Sequence, residues 1–196
     1  MVNVDFAKHT SERMFRAVEL VRERLLRATA ALNLADIPYA VIGGNAVGTW
    51  VSTVDPGAIR NTVDVDLLIN RGDLPRVIEA LKNAGFVWRH VAGIEIFLDG
   101  PEGRASDGVH VLFANEKVRP TYSHPAASVE QFEQFAEYRV IGLEPLVRMK
   151  LTSFRDKDRT HVRDMIGVGL VDESWLTRLP ADLAARLKEL IDTPDG

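Results

Sequence analysis

The chain has 196 residues, 24 Lys and Arg against 28 Asp and Glu, a formal net charge of −4 and 46% hydrophobic residues. That is material for one domain with a sizeable core, and it excludes a disordered or fibrous polymer. With no cysteine there can be no disulfide, thiolate zinc site or iron–sulfur cluster; no apolar run approaches the roughly 20 residues that cross a bilayer; and the charged start, Met1–Arg13, lacks the apolar stretch of a secretory leader, so a cytoplasmic protein without membrane contact is expected.

Val18, Val21, Leu25, Ala28 and Leu32 recur at spacings of three and four, which predicts a long first helix. Thr10 or Ser11 is expected to cap it, with Glu12 in the first turn, and Pro38 to bound it. Tyr39–Ile42 is a short β-prone run entering Gly43-Gly44, and Asn45–Trp50 reads as a helix leaving that turn. After the turn signal Asp55-Pro56-Gly57, Thr62–Ile69 alternates as a strand should, with Val63, Val65 and Leu67 expected inward. Asp73 is expected to cap a helix through Asn83, with Leu74, Val77, Ile78 and Leu81 inward and Gly85 closing it. Phe86–Val91 and Ile94–Leu98 read as strands, residues 99–107 as a polar loop and Gly108–Phe113 as another strand. Residues 114–137 carry the weakest pattern, with a short helix expected after Ser128. Tyr138–Ile141 reads as a strand, Leu143–Leu170 as helical with a charged middle, and Pro180–Ile191 as a last amphipathic helix. The order predicts an α/β (α+β) core over residues 1–142 and a helical region over residues 143–196 packed on it as one unit.

Asp64 and Asp66, at i and i+2 on a strand, leave the same face. Two such carboxylates repel unless a cation lies between them, and a hard divalent ion such as Mg²⁺ meets that need; the alternative is a solvated pair at a strand end. The strand, diglycine and helix start some twenty residues upstream can cradle a phosphate, because glycine admits close approach and a helix N-terminus presents free N–H groups. Arg60 and Thr62 stand beside the acids and can add a charge and a hydroxyl. Between Arg148 and Asp164 six basic residues face three acids, so the stretch carries +3 and the rest of the chain −7, which points to an anionic ligand. Lys150 stands out, a charge set among Leu146, Val147, Met149 and Leu151; Arg155 is its companion, while Arg159 and Arg163 read as solvated helix charges.

Ile42-Gly43-Gly44-Asn45-Ala46 followed by Arg60-x-Thr62-x-Asp64-x-Asp66 resembles the nucleotidyltransferase superfamily related to DNA polymerase β. It is most similar to the small bacterial branch that includes aminoglycoside nucleotidyltransferases and AbiE-type nucleotidyltransferase toxins. Pro145–Lys150 and Phe154–Asp158 resemble the later Lys…Arg-x-Lys-Asp element of that branch. The resemblance, over residues 38–165, implies a mixed β-sheet flanked by helices and transfer of a nucleoside monophosphate from an NTP, ATP as donor, with pyrophosphate release. It assigns Mg²⁺ (or Mn²⁺) to Asp64 and Asp66 and the triphosphate to the Gly43-Gly44 pair; Asn45, Arg60, Thr62, Lys150 and Arg155 are the further nucleotide-binding candidates. The acceptor stays open between a small molecule, an RNA end and a protein hydroxyl. Two positions depart from the family pattern: where a third acid is usual stands His110, and where a later Asp is usual stands His161. His110 then acts as general base, or marks a degenerate module that binds nucleotide or a protein partner in a toxin–antitoxin or defence setting, or is a hydrogen-bonded core histidine. Asp107 and Glu95 are alternative sources of the third carboxylate, and His110 with His161 could together recruit a softer metal.

Overall fold

Leu67, Leu68 and Ile69 are consecutive and fully buried, so the strand that carries them is covered on both faces. That strand, β2 (Val65–Ile69), lies at the middle of a mixed sheet in a computed structural model describing residues 3–194. The other strands are β1 (Tyr39–Ile42), β3 (Phe86–Val91), β4 (Ile94–Asp99), β5 (Val109–Phe113), β6 (Phe132–Gln134) and β7 (Arg139–Ile141), and the spatial order is β3-β4-β5-β2-β1-β7-β6. β2 runs parallel to β5 and antiparallel to β1, and β1 runs parallel to β7. Six α-helices complete the described residues: α1 (Asn3–Leu34), α2 (Gly43–Ser52), α3 (Leu74–Asn83), α4 (Leu143–Ser153), α5 (Asp156–Gly167) and α6 (Ala181–Asp192). α1 and α3 pack together and on the sheet, whereas α2 contacts β1 and β2 on one side and α4 and α5 on the other. The expected α/β fold, a mixed sheet flanked by helices with a helical C-terminal part, is the fold observed.

Several local expectations are corrected. The backbone of α1 already includes Thr10 and Ser11, so they do not begin the helix, and Glu12 lies beyond its first turn. The packed stripe starts only at Val21; Val18 is 40% exposed, because the helix outruns the surface it covers. α2 starts at the diglycine itself. Asp73 stands at the N-cap of α3 as expected, but its side chain makes no capping bond; its carboxylate accepts from the side chains of Asn70 and Arg76 instead. β2 begins three residues later than the alternation suggests, and Val63 is 61% exposed instead of inward. After Ser128 there is no helix but a turn leading into β6, whose three residues are all exposed. The helical stretch after Leu143 is two helices, broken where Phe154 adopts φ +48°. Gly85 does close α3, at φ +88°, and α6 is amphipathic as expected, with Leu183, Leu187 and Leu190 buried and Ile191 partly so.

Candidate functional site

The site forms where β1 ends. Ile42 pairs with Asp66, and the chain then turns at Gly43 with φ +69° to start α2. A Cβ at Gly43 would lie 1.9 Å from Asp66 Oδ2, so glycine is required both by the backbone and by the carboxylate folded over it. A Cβ at Gly44 would lie 2.8 Å from Thr62 Oγ1. Among the described residues no side chain caps the N-terminus of α2, which leaves its first amides free for an anion.

Asp64 precedes β2 and is held from three directions. Asn45 Nδ2 donates to its backbone oxygen at 2.8 Å, Thr62 Oγ1 donates to Oδ1 at 2.6 Å, and Lys157 Nζ lies 3.4 Å from the same oxygen. Burial opposes ionisation of Asp64, but the Thr62 hydroxyl and the Lys157 charge outweigh it and hold the pKa below the usual carboxylate range. Asn45 and Thr62 thus meet the acid itself, the one through its backbone and the other through its side chain.

His110 stands directly opposite Asp66 on the parallel neighbour β5 and therefore on the same face. Its Nδ1 is 3.7 Å from Asp66 Oδ1 and 3.9 Å from Asp64 Oδ2, while Nε2 donates to the carbonyl of Ala105 at 2.8 Å. The neighbouring Asp66, against the effect of burial, raises the pKa of His110. One oxygen of each acid and one nitrogen of His110 all lie within 4.8 Å of one another. A cation between them would relieve the repulsion of the paired carboxylates, and the donor set suits a divalent metal.

These residues open on a cleft of about 560 Å³ that Gly43, Asp64, Asp66 and His110 share with Lys150, Arg155, Lys157 and Asp158. Lys150, only 7% exposed, is 3.1 Å from Asp158 Oδ1, and Arg155 Nε donates to Asp158 Oδ2 at 2.8 Å. Burial alone would raise the pKa of Asp158, but Arg155, Lys150 and the Ser153 hydroxyl bring it down to about 2. Arg60 lies elsewhere: its Nε contacts both carboxylate oxygens of Asp164 on α5 at 2.8 Å, and it does not line the cleft. Arg159 and Arg163 bond to Glu189 and Thr193 near the C-terminus.

Neither alternative carboxylate joins the acids. Glu95 pairs across the sheet with Val111, one residue out of phase with Ile96 opposite His110, so it leaves the other face; there it accepts from Trp88 Nε1 at 2.8 Å and bonds His90. Asp107 accepts from Ser106 and does not line the cleft. His161 is buried on α5 with Nδ1 unpartnered and is outside the Asp64–Asp66–His110 cluster. Burial, Lys150 and Lys157 depress its pKa to about 4.

Two participants escape sequence reasoning. Lys157 lay among the counted basic residues, but only the start of α5 at Asp156 turns it toward Asp64. The Ala105 carbonyl belongs to a 3₁₀ turn, Ala105–Asp107, inside what reads as a plain polar loop; a backbone oxygen leaves no signal in residue type.

The sequence matches no protein-family profile and no curated protein. The structure resembles solved ones. An antigenic nucleotidyltransferase-like protein from Paracoccidioides brasiliensis aligns over 88% of each chain with 19% identity and a TM-score of 0.56. A protein from H. pylori, provisionally assigned as a nucleotidyltransferase, aligns over 91% of this chain and 78% of its own with 15% identity and a TM-score of 0.55. ANT(2″)-Ia, solved in complex with adenylyl-2″-tobramycin, aligns over 91% of this chain and 98% of its own with 14% identity and a TM-score of 0.50. At these identities it is the architecture that is shared, and the chain has the nucleotidyltransferase fold.

Proposed function

We propose that this protein transfers a nucleoside monophosphate from a metal-bound NTP, with ATP as donor, to an acceptor hydroxyl. One observation carries the reading: Asp64, Asp66 and His110 converge beside Gly43 at the uncapped start of α2, in a cleft that also holds Lys150, Arg155 and Lys157. In the reaction the acceptor hydroxyl gives up its proton to solvent water, its oxygen bonds to the α-phosphorus, the bond from that phosphorus to the oxygen bridging to the β-phosphate breaks, and pyrophosphate leaves. Asp64 and Asp66 would hold Mg²⁺ or Mn²⁺, which supplies charge to the α-phosphate and the attacking oxygen. The α2 amides at Gly43 and Gly44 would receive phosphate oxygens, and Lys150, Arg155 and Lys157 would offset the charge of the leaving pyrophosphate. Asn45 and Thr62 would keep Asp64 in place. Beyond Asp64 and Asp66, the acids of the lining are Glu116, bonded to Arg71, and Asp158, bonded to Lys150 and Arg155. Apart from the metal pair, every acid among the described residues of this lining is therefore paired with a base, which favours a neutral or anionic acceptor over a polycation.

The test is label transfer and pyrophosphate release from α-32P-labelled ATP with Mg²⁺ or Mn²⁺, over acceptors that include small alcohols, RNA and protein. Asp64→Ala and Asp66→Ala are each expected to abolish transfer with the fold retained; undiminished transfer by either variant overturns the metal role. A second reading, a module that binds nucleotide or a protein partner without turnover, is favoured by one fact: among the described residues no third carboxylate reaches the two aspartates. In that case the metal–ATP complex raises the melting temperature by ligand linkage and no pyrophosphate appears.

A further inference from the structure

We propose that His110 is itself a metal ligand, through Nδ1, and that it biases the site toward Mn²⁺ over Mg²⁺. The inference rests on the metal-dependent reading above and goes beyond it by fixing the third donor and the preferred ion.

The argument starts from the tautomer. A carbonyl oxygen can only accept, so the 2.8 Å contact with Ala105 places a proton on Nε2 of His110. In the neutral ring the lone pair then sits on Nδ1, the atom that faces both aspartates. The distances from Nδ1 to the two carboxylates, 3.7 and 3.9 Å, are too long for hydrogen bonds. Three donor atoms are thus gathered without bonding one another. A histidine with one nitrogen on a backbone carbonyl and the other free is the usual arrangement of a metal-bound imidazole, since the carbonyl fixes the tautomer and the ring orientation.

The surrounding chain keeps that carbonyl aimed. Ala105 O also accepts from Gly108 N at 3.3 Å, closing the 3₁₀ turn onto the start of β5. A Cβ at Gly108 would lie 2.9 Å from the carbonyl of Phe97 and 3.0 Å from Ile96 Cγ2, so the turn is pressed against β4. Register sets the rest. Asp66 and His110 face each other on adjacent parallel strands, and Asn45 and Thr62 fix Asp64 beside them.

The ion preference follows from donor chemistry. Mg²⁺ takes oxygen ligands and gains little from an imidazole, whereas Mn²⁺ accepts oxygen donors and binds nitrogen more readily. An acid at position 110 would give an all-oxygen set; histidine moves one donor to nitrogen.

Mn²⁺ added to the apoprotein, alone and with a nonhydrolysable ATP analogue, reads this out by pulsed electron paramagnetic resonance. Nitrogen hyperfine coupling to bound Mn²⁺ is expected in the native chain, with a changed pattern when its histidines are 15N-labelled. The coupling is expected to vanish in His110→Ala and in His110→Asp, and competition titration of His110→Asp should shift the Mn²⁺ to Mg²⁺ preference toward Mg²⁺ by about tenfold or more. Circular dichroism confirms that each variant is folded, and the isotope experiment needs no substitution. Mn²⁺ bound in an Asp64- and Asp66-dependent manner but with no histidine coupling overturns the inference and leaves the nucleotidyltransferase reading standing. Absence of Mn²⁺ binding with and without the analogue, or binding unaffected by Asp64→Ala and Asp66→Ala, overturns both.

Discussion

Gly43 ties backbone conformation to the chemistry of the site more tightly than any other residue. Gly43→Ala must place a methyl group where Asp66 Oδ2 now lies and must hold a left-handed φ of +69°. The strain is expected to lower stability by about 1–3 kcal/mol and to displace Asp66, so metal-dependent transfer should be lost in a chain that still folds. Gly72→Ala, where no atom lies within 4 Å of an added Cβ and φ is not left-handed, is the matched control and should leave both properties unchanged. Urea denaturation and label transfer on the two variants check this. At this scale the sequence is informative wherever residue type and chemistry coincide. The acids, the diglycine and Lys150 are conspicuous because charge or glycine in an apolar run needs a reason. Arg60 has no such constraint, and its partner Asp164 is 104 residues away, out of reach of any local pattern.

The corner between α4 and α5 shows what a single acid does to secondary structure. Asp158, buried and third in α5, takes Lys150, Ser153 and Arg155 as partners, and those bonds draw the end of one helix against the start of the next. The charged middle of the stretch, residues 155–161, contains neither glycine nor proline, so nothing in residue type marks an end and one long helix is what the pattern implies; the break lies in polar bonds at Asp158 and in the left-handed Phe154. Residues 129–134 fail for a related reason: β6 is an exposed edge strand with little apolar content to mark it. The buried ionisable groups of the corner also predict a pH dependence. His161 is neutral in the folded chain until about pH 4, whereas the unfolded chain takes up the proton near pH 6.5. The contribution of His161 to stability is therefore complete above pH 6.5 and falls as the pH drops toward 4, by about 3 kcal/mol in total. Asp158, with its pKa near 2 in the folded state, stays ionised across that window, and its own contribution is lost only as the pH falls from about 4 toward 2. His161→Gln should flatten the decline between pH 6.5 and 4. Urea midpoints measured across pH 4–7.5 decide it: an unchanged slope in the variant would mean that His161 does not titrate with unfolding.

Across the whole molecule, strand order is the feature furthest from what a local pattern can reveal. β7 lies parallel to β1 although about a hundred residues separate them, and this pairing brings α4 and α5 back over α2. Leu146, Val147 and Leu151 of α4, Val162 and Met165 of α5, and Leu183, Leu187 and Leu190 of α6 are buried in the same apolar cluster as Ala46, Val47 and Val51 of α2. We infer that residues 143–196 form one cooperative unit with residues 1–142. Eight apolar side chains of the second part share that core, each contributing about 1.5–3 kcal/mol by burial, so separating the parts would expose apolar surface on both. A fragment ending at residue 142 should therefore lack fixed side-chain packing and give no near-ultraviolet circular dichroism, while the full chain should unfold in one calorimetric transition. Because Asp64 comes from the first part and Lys150, Arg155 and Lys157 from the second, metal-bound ATP should move that transition upward as a whole. Two transitions, only one of them shifted by nucleotide, would show that the helices fold apart from the sheet and that the cleft between them is assembled only on binding.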